Sequence, residues 1–98
     1  MRLTFEDMQE LRRCVVELVN QEQVKIKWQH IKTLHNVQKH EILVALRYGT
    51  PLKPDGEVEG RYVTWSKLTE AGVPIRVVFE VQKVNGERVV VVTAFMEE

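Results

Sequence analysis

The sequence has a single cysteine, no long apolar run and no excess of either charge. Cys14 alone excludes an internal disulfide and any zinc site built from several cysteines. No segment reaches the roughly 18 apolar residues that a membrane span needs, and residues 1–7 lack the apolar core of a signal peptide. These absences predict a cytoplasmic protein without a membrane partner. The balance of 14 basic and 14 acidic residues counts against a dedicated nucleic-acid-binding protein, because such proteins are usually basic.

The sequence also lacks the patterns that hold metals and nucleotide cofactors. Gly56 and Gly60 do not form a phosphate-binding loop, because no strand and helix flank them in the required order. The three histidines, His30, His35 and His40, recur every five residues. A step of five turns a helix by about 140°, so these side chains would not share one helix face. We therefore predict neither a metal nor a cofactor.

Length and composition indicate one globular domain spanning residues 1–98. Hydrophobic residues make up 44% of the chain and charged residues 29%, which is not the composition of a disordered protein. The charges are unevenly placed, since residues 23–55 contain six basic and two acidic side chains as well as all three histidines. This segment is either an ordinary solvated face or a local anion-binding surface.

An amphipathic helix is predicted within residues 1–22. Thr4 is the expected N-cap, with Glu6 and Asp7 in the first turn, where they complement the helix dipole. Apolar residues then form one stripe: Met8, Leu11, Val15 and Leu18. This stripe either covers a sheet or another helix, or it is a seam through which two copies of the chain form a homodimer.

A second helix is predicted to begin at Gln38, with a short strand at residues 24–28 and a short helical segment at 30–35 before it. Val37 and Ile42 fit a hydrophobic staple, and Glu41 fits the third position of a capping box. Gly49 is placed to end this helix, and residues 50–56 read as a loop.

The remainder is rich in β-branched and aromatic residues and predicts three strands, at residues 58–66, 75–84 and 87–95. The last two flank Asn85-Gly86, the pair favoured in type I′ hairpin turns because both central residues need positive φ. On these strands Arg61, Tyr62, Trp65 and Lys67 cluster in sequence, and Arg76 and Glu80 share a face. An aromatic and basic sheet face can stack bases and hold phosphates. Alternatively, Tyr62 or Trp65 is a core residue, and Arg76 and Glu80 form an ordinary ion pair.

Part of the chain resembles the BrnT-type toxins. The resemblance covers roughly residues 24–96 and is carried by a strand ending in Trp28, by Lys32, and by a step from His35-Asn36-Val37 into a helix. The later strands at 75–79 and 90–95 have a similar layout. Gln29 stands where those toxins have Asp, and Asn36 stands where they have Gly. The N-terminal helix in residues 1–22 has no counterpart in the resemblance.

The resemblance implies an α+β, RelE-like fold, in which two or three helices pack on a twisted antiparallel sheet of about four strands. It also implies a metal-independent endoribonuclease that cleaves RNA by 2′-hydroxyl attack and is neutralised by an antitoxin protein. His30 or His35 would then transfer protons, and Arg61 and Arg76 would stabilise phosphate charge. The residues expected to bind RNA are Lys32, Tyr62, Trp65 and Lys67.

Two alternatives use the same fold without cleavage. The first is a protein-interaction module that dimerises through the N-terminal helix. The second is an RNA-binding module whose affinity falls as salt rises.

Overall fold

The computed structural model describes residues 1–28, 38–66 and 74–97. In chain order these form α1 (Met8–Asn20), β1 (Val24–Ile26), α2 (Lys39–Tyr48), β2 (Leu52–Pro54), β3 (Arg61–Ser66), β4 (Ile75–Val84) and β5 (Glu87–Glu97). The chain is therefore α+β, with two helices and a five-stranded sheet among the described residues. The predicted helical segment at 30–35 lies outside those residues.

The sheet is mixed, with the strand order β1-β5-β4-β3-β2. The pairs β2–β3, β3–β4 and β4–β5 are antiparallel, whereas β1 runs parallel to β5 at one edge. The expectation was an antiparallel sheet of about four strands, and the sheet differs from it in two respects: β1 is parallel, and the described residues form five strands. β1 and β5 lie far apart in sequence, so no hairpin turn dictates their relative direction. The strand that was not predicted is β2, which lies within the predicted loop at residues 50–56.

The C-terminal hairpin is confirmed, and it is the longest pairing in the sheet. Ile75–Val84 and Glu87–Glu97 pair across Asn85 and Gly86, whose φ values are 53° and 81°. Positive φ at both positions is the conformation that a type I′ turn requires. This turn geometry matches the right-handed twist of the two strands that it joins.

Helix α1 begins three residues later than predicted. Its N-cap is Asp7, whose carboxylate accepts a hydrogen bond from the Gln9 backbone N–H at 2.8 Å. Thr4 does not cap the helix, because the chain just beyond it is tied to the sheet: the Phe5 N–H donates to the Tyr62 hydroxyl at 2.6 Å. The segment before the helix continues the sheet instead, since the Leu3 N–H bonds the Val81 carbonyl at 2.8 Å.

Helix α2 has the predicted ends. Gln38 is the N-cap, and its backbone N–H donates to the Glu41 carboxylate at 2.8 Å. Gly49 is the C-cap, and its N–H bonds the Ala45 carbonyl at 2.7 Å. Val37, the predicted staple residue, lies outside the described residues. A Cβ at Gly49 would come within 2.5 Å of the Ala45 carbonyl oxygen and the Thr64 hydroxyl, so only glycine allows this approach of α2 to β3.

Both helices pack on one face of the sheet, which we call the inner face. The core contains four buried side chains of α1 (Leu11, Val15, Leu18 and Val19), three of α2, and alternating residues of the central strands. Full burial of an aliphatic side chain stabilises the fold by about 1.5–3 kcal/mol, so the α1 stripe is a major source of stability. No helix among the described residues has the length and apolar character needed to cross a membrane.

A bulge in β5 sets which of its residues reach the core. Val78 pairs with Ala94 and Phe79 with Val92, so Thr93 is the extra residue. Its hydroxyl donates to the Val78 carbonyl at 3.2 Å. Val92 and Phe95 are three apart and would point to opposite faces of a regular strand, yet both are buried in the core. The extra residue at Thr93 shifts the alternation by one position, so that Val92 and Phe95 both point to the inner face.

Candidate functional site

The face of the sheet opposite the helices, which we call the outer face, carries charged and aromatic side chains. Its residues are identified by register, because paired residues of neighbouring strands point to the same side. One row crosses four adjacent strands: Lys25, Val91, Glu80 and Arg61. Trp65 pairs with Arg76 nearer the other end of β3. Among the described residues, both helices lie on the inner face. The outer face is exposed only in part, since Val63 and Val91 on it are buried, at 5% and 3% exposure.

Trp65 is the aromatic centre of the outer face. Its ring is partly exposed, and the Lys53 ammonium lies 5.2 Å from the ring centroid. This is a cation–π distance, at which the ammonium is attracted by the negative face of the indole. Lys53 reaches the ring because β2 pairs with β3 and places Lys53 opposite Val63, two residues from Trp65. Arg76 is the cross-strand neighbour of Trp65 on β4. We call Lys53, Trp65 and Arg76 the tryptophan cluster.

A second group lies four residues away along β3, a separation of about 13 Å. Its centre is Glu80, whose side chain is only 4% exposed. Arg2 Nε lies 2.8 Å from Glu80 Oε2, and Arg61 Nε lies 4.0 Å from the same oxygen. The Gln82 amide donates to the other oxygen, Oε1, at 2.5 Å. We call these four residues the arginine cluster.

The Glu80 carboxylate needs these partners. Burying an isolated carboxylate costs several kcal/mol, and nearby cations and hydrogen-bond donors offset that cost. The Arg2 contact is a close ion pair rather than a hydrogen bond, since Oε2 accepts no hydrogen bond from the described residues. The sequence left open an ion pair between Arg76 and Glu80. Among the described residues, the ion pairs of Glu80 are instead with Arg2 and Arg61.

Three of the predicted site residues share the outer face: Arg61, Trp65 and Arg76. Tyr62 does not join them, since it lies between Arg61 and Val63 on the strand and its ring is 2% exposed within the core. Its hydroxyl is bonded to the Phe5 backbone, and its ring contacts Phe5 edge-on at 6.3 Å. A base could stack on Tyr62 only if the segment before α1 moved away. This position matches the core alternative stated for Tyr62.

The other predicted site residues lie outside the described residues. These are His30 and His35, predicted to transfer protons, and Lys32 and Lys67, predicted to bind RNA. Their roles stay predictions.

An open groove of about 390 Å³ continues the outer face towards the hairpin. Lys25 and Lys27 line it on one side, and Gln82, Val89 and Val91 form much of its floor. Its basic side comes from the segment whose positive charge stood out in the sequence. An extended polyanion lying on the outer face would meet further cations here.

The apolar stripe of α1 is largely inside the molecule. Leu11, Val15 and Leu18 are buried in the core, and Met8 is partly buried against it. A homodimer formed through these four side chains would require α1 to leave the sheet, so this prediction carries a large energetic cost.

Arg12 takes a structural position on the helix side. Its guanidinium donates to the Leu46 carbonyl at 2.9 Å and to the Gly49 carbonyl. Burial lowers the pKa of Arg12 below its ordinary value. A cation that bonds the last carbonyls of a helix satisfies acceptors that have no partner within the helix. Arg12 therefore fastens the end of α2 to α1.

Sequence reasoning missed two side chains of the outer face. Lys53 was assigned to a loop, and no local pattern indicated that it would lie over Trp65. Arg2 reaches Glu80 through pairing between residues far apart in sequence, for which a single sequence carries no signal. Among the described residues, no group of three or more His, Cys, Asp or Glu side chains is placed to hold a metal ion.

In comparisons with known proteins, the chain matches no family model, no curated protein and no solved structure.

Proposed function

We propose that this protein binds single-stranded RNA on the outer face of its sheet. The observation that carries the proposal is the tryptophan cluster, in which the Lys53 ammonium lies over a partly exposed indole and Arg76 is the cross-strand neighbour of that tryptophan. Proteins that bind single strands combine aromatic rings, on which bases stack, with cations that hold the backbone. A sheet face that presents both kinds of side chain suits an unpaired strand, whose bases can stack on an aromatic ring.

The arrangement of charge supports the same proposal. Basic side chains of four strands share the outer face: Lys25, Lys53, Arg61 and Arg76. A neutral chain can bind a polyanion when its cations are gathered on one surface, because the attraction is local at physiological salt.

The stronger form of the proposal is the activity implied by the resemblance to BrnT-type toxins. In that form the chain has a RelE-like fold and is a metal-independent endoribonuclease neutralised by an antitoxin. Attack of a ribose 2′-hydroxyl needs a base, a cation for the charged phosphorane and an acid for the leaving oxygen. Arg61 and Arg76 would supply the cations, and His30 or His35 would transfer the protons.

The binding proposal is tested by fluorescence anisotropy with a labelled single-stranded RNA. Trp65→Ala should weaken binding by about 5- to 150-fold, since stacking on one base contributes about 1–3 kcal/mol. Tyr48→Ala is the matched control, because Tyr48 is an aromatic residue that is 71% exposed on α2 rather than on the sheet. It should bind as the wild type does. Absence of saturable binding, or equal affinity of the Trp65→Ala variant, would contradict the proposal.

Cleavage is tested on the same RNA in the presence of a chelator. The expected products end in a 2′,3′-cyclic phosphate, because the attacking hydroxyl belongs to the RNA itself. Arg61→Ala and His30→Ala should each slow cleavage, and both should relieve the growth arrest caused by expressing the chain alone. Tight binding with intact RNA would leave the non-catalytic RNA-binding module as the function.

A further inference from the structure

The arginine cluster carries a net positive charge, because it has two guanidinium groups and one carboxylate. Two guanidinium groups approach one carboxylate oxygen, Glu80 Oε2, with Nε atoms at 2.8 and 4.0 Å. One carboxylate neutralises one guanidinium, so the cluster of Arg2, Arg61 and Glu80 keeps one net positive charge. Both arginine side chains are partly exposed, at 39% and 31%. This charge can therefore be reached from solvent.

The donors of the cluster are incompletely used. Arg61 Nε is buried and, within the described residues, has no hydrogen-bond partner. Arg2 Nη1 donates to the Glu59 backbone carbonyl at 3.1 Å. Guanidinium groups bind phosphate through pairs of N–H donors, and the Arg61 side chain is 31% exposed, so a phosphate can reach its guanidinium.

Arg2 is held in place by the backbone around it. The Arg2 backbone forms an antiparallel bridge with Gln82. Beside it, the Leu3 N–H donates to the Val81 carbonyl. A Cβ at Gly60 would lie 2.6 Å from Arg2 Cδ, so this glycine makes room for the arginine side chain to cross the strand. A cation fixed in this way loses little conformational entropy when it binds an anion.

We propose that Arg2 and Arg61, positioned by the buried Glu80, form a phosphate-binding subsite of the outer face. The inference rests on the proposed RNA binding and deepens it by giving the two clusters different tasks. The tryptophan cluster stacks a base, and the arginine cluster binds a backbone phosphate about 13 Å further along β3. Arg2 is thereby a binding residue, and Glu80 is the positioning residue for both guanidinium groups.

The first test uses the unmodified protein and inorganic phosphate. The side-chain Nε–Hε signals of the arginines are followed by NMR as phosphate is added. The signals of Arg2 and Arg61 should shift together with a common midpoint, while that of the exposed Arg13 on α1 should not saturate. Different midpoints for Arg2 and Arg61, or shifts no larger than that of Arg13, would overturn the subsite.

The second test uses a single-stranded RNA oligonucleotide and two charge variants. Arg2→Gln should weaken binding about tenfold. It should also reduce the slope of log affinity against log salt concentration by roughly 0.7, the value for one lost phosphate contact on a single strand. Arg13→Gln removes the same charge elsewhere and should change neither quantity. Where Arg2→Gln lowers the folded fraction, Arg2→Lys is used instead: it should retain the slope but lose affinity, because an ammonium lacks the planar pair of donors.

The two proposals fail in distinguishable ways. If phosphate shifts the arginine pair but the oligonucleotide does not bind, the subsite stands and RNA binding is refuted. If the oligonucleotide binds Arg2→Gln and the wild type equally, RNA binding stands and the subsite is refuted.

Discussion

The two faces of the sheet are built from the same strands but have opposite character. On the inner face, residues such as Tyr62, Phe79 and Val92 pack under the helices and are almost fully buried. On the outer face, their immediate neighbours Arg61 and Glu80 form ion pairs. Because side chains alternate along a strand, one residue of register separates a core position from a position on the outer face.

If the outer face binds RNA as proposed, stability and binding should be separable by substitutions within one strand. Substitutions on the inner face should change the free energy of unfolding, and binding should fall only as the folded fraction falls. Substitutions on the outer face should change affinity, with smaller effects on unfolding. The following variants test or sharpen that separation, from the largest expected effect to the smallest.

Phe79→Ala should have the largest effect on stability. The ring is fully buried and lies 6.1 Å from Tyr62, so its removal leaves a cavity in the centre of the core. Such truncations cost about 3–5 kcal/mol, measurable by urea denaturation. The control is Val84→Ala near the hairpin turn, where the side chain is 48% exposed, and its cost should stay below about 0.5 kcal/mol. A similar loss in both variants would refute the contrast between core and exposed positions.

Gly49→Ala should come next. The new Cβ would overlap the Ala45 carbonyl, the Thr64 hydroxyl and, at 2.6 Å, the Trp65 carbonyl, so α2 must shift away from β3 at a cost of about 2–3 kcal/mol. Gly56→Ala separates steric overlap from backbone strain, because Gly56 has φ +90° and no atom within 4 Å of its Cβ position. It should cost only about 1–2 kcal/mol. Thermal unfolding measures the stability lost in each variant. A larger loss in Gly56→Ala than in Gly49→Ala would contradict the close packing of α2 on β3.

Arg12→Met should destabilise the protein by about 2 kcal/mol. The methionine keeps much of the aliphatic stem but loses the two bonds from the guanidinium to the Leu46 and Gly49 carbonyls. Arg13→Met, at an exposed position of the same helix, should change stability by less than about 0.5 kcal/mol. Equal denaturation midpoints for the two variants would show that Arg12 does not fasten α2.

Thr64→Val should have the smallest effect on unfolding and the opposite sign. The Thr64 hydroxyl is buried on the inner face and has no hydrogen-bond partner among the described residues. A buried unpaired hydroxyl costs about 1–3 kcal/mol, and valine has nearly the same shape. We expect the free energy of unfolding, measured by chemical denaturation, to rise by about 1 kcal/mol. A loss of stability would mean that the hydroxyl makes a favourable contact in solution.

The sequence predicts best those parts of the fold that are set by local rules. The turn at Asn85-Gly86 and the caps of α2 at Gln38 and Gly49 depend on neighbours within a few residues, and all three are confirmed. The cap of α1 was misplaced because a hydrogen bond from the Phe5 N–H to distant Tyr62 competes with helix formation. β2 and the bulge at Thr93 likewise depend on partners across the sheet, which no local pattern encodes.

The same division applies to the candidate site. Arg61 and Trp65 are four apart on one strand, so period two was enough to place them on one face. That reasoning could not decide which face the helices would cover. It could therefore not tell that Tyr62, next to Arg61, lies in the core. Lys53 and Arg2 join the site only through pairing of strands or segments distant in sequence.

The central claim is that the outer face binds RNA, and the salt dependence of RNA affinity in Arg61→Gln/Arg76→Gln tests it most directly. Because the double variant removes two cations from the outer face, the slope of log affinity against log salt concentration should fall by about 1.4 relative to the wild type, at about 0.7 for each charge. The free energy of unfolding is measured alongside, because Arg61 is a partner of the buried Glu80 carboxylate and the double variant must be folded for the comparison. An unchanged slope in a folded double variant would contradict RNA binding by this face.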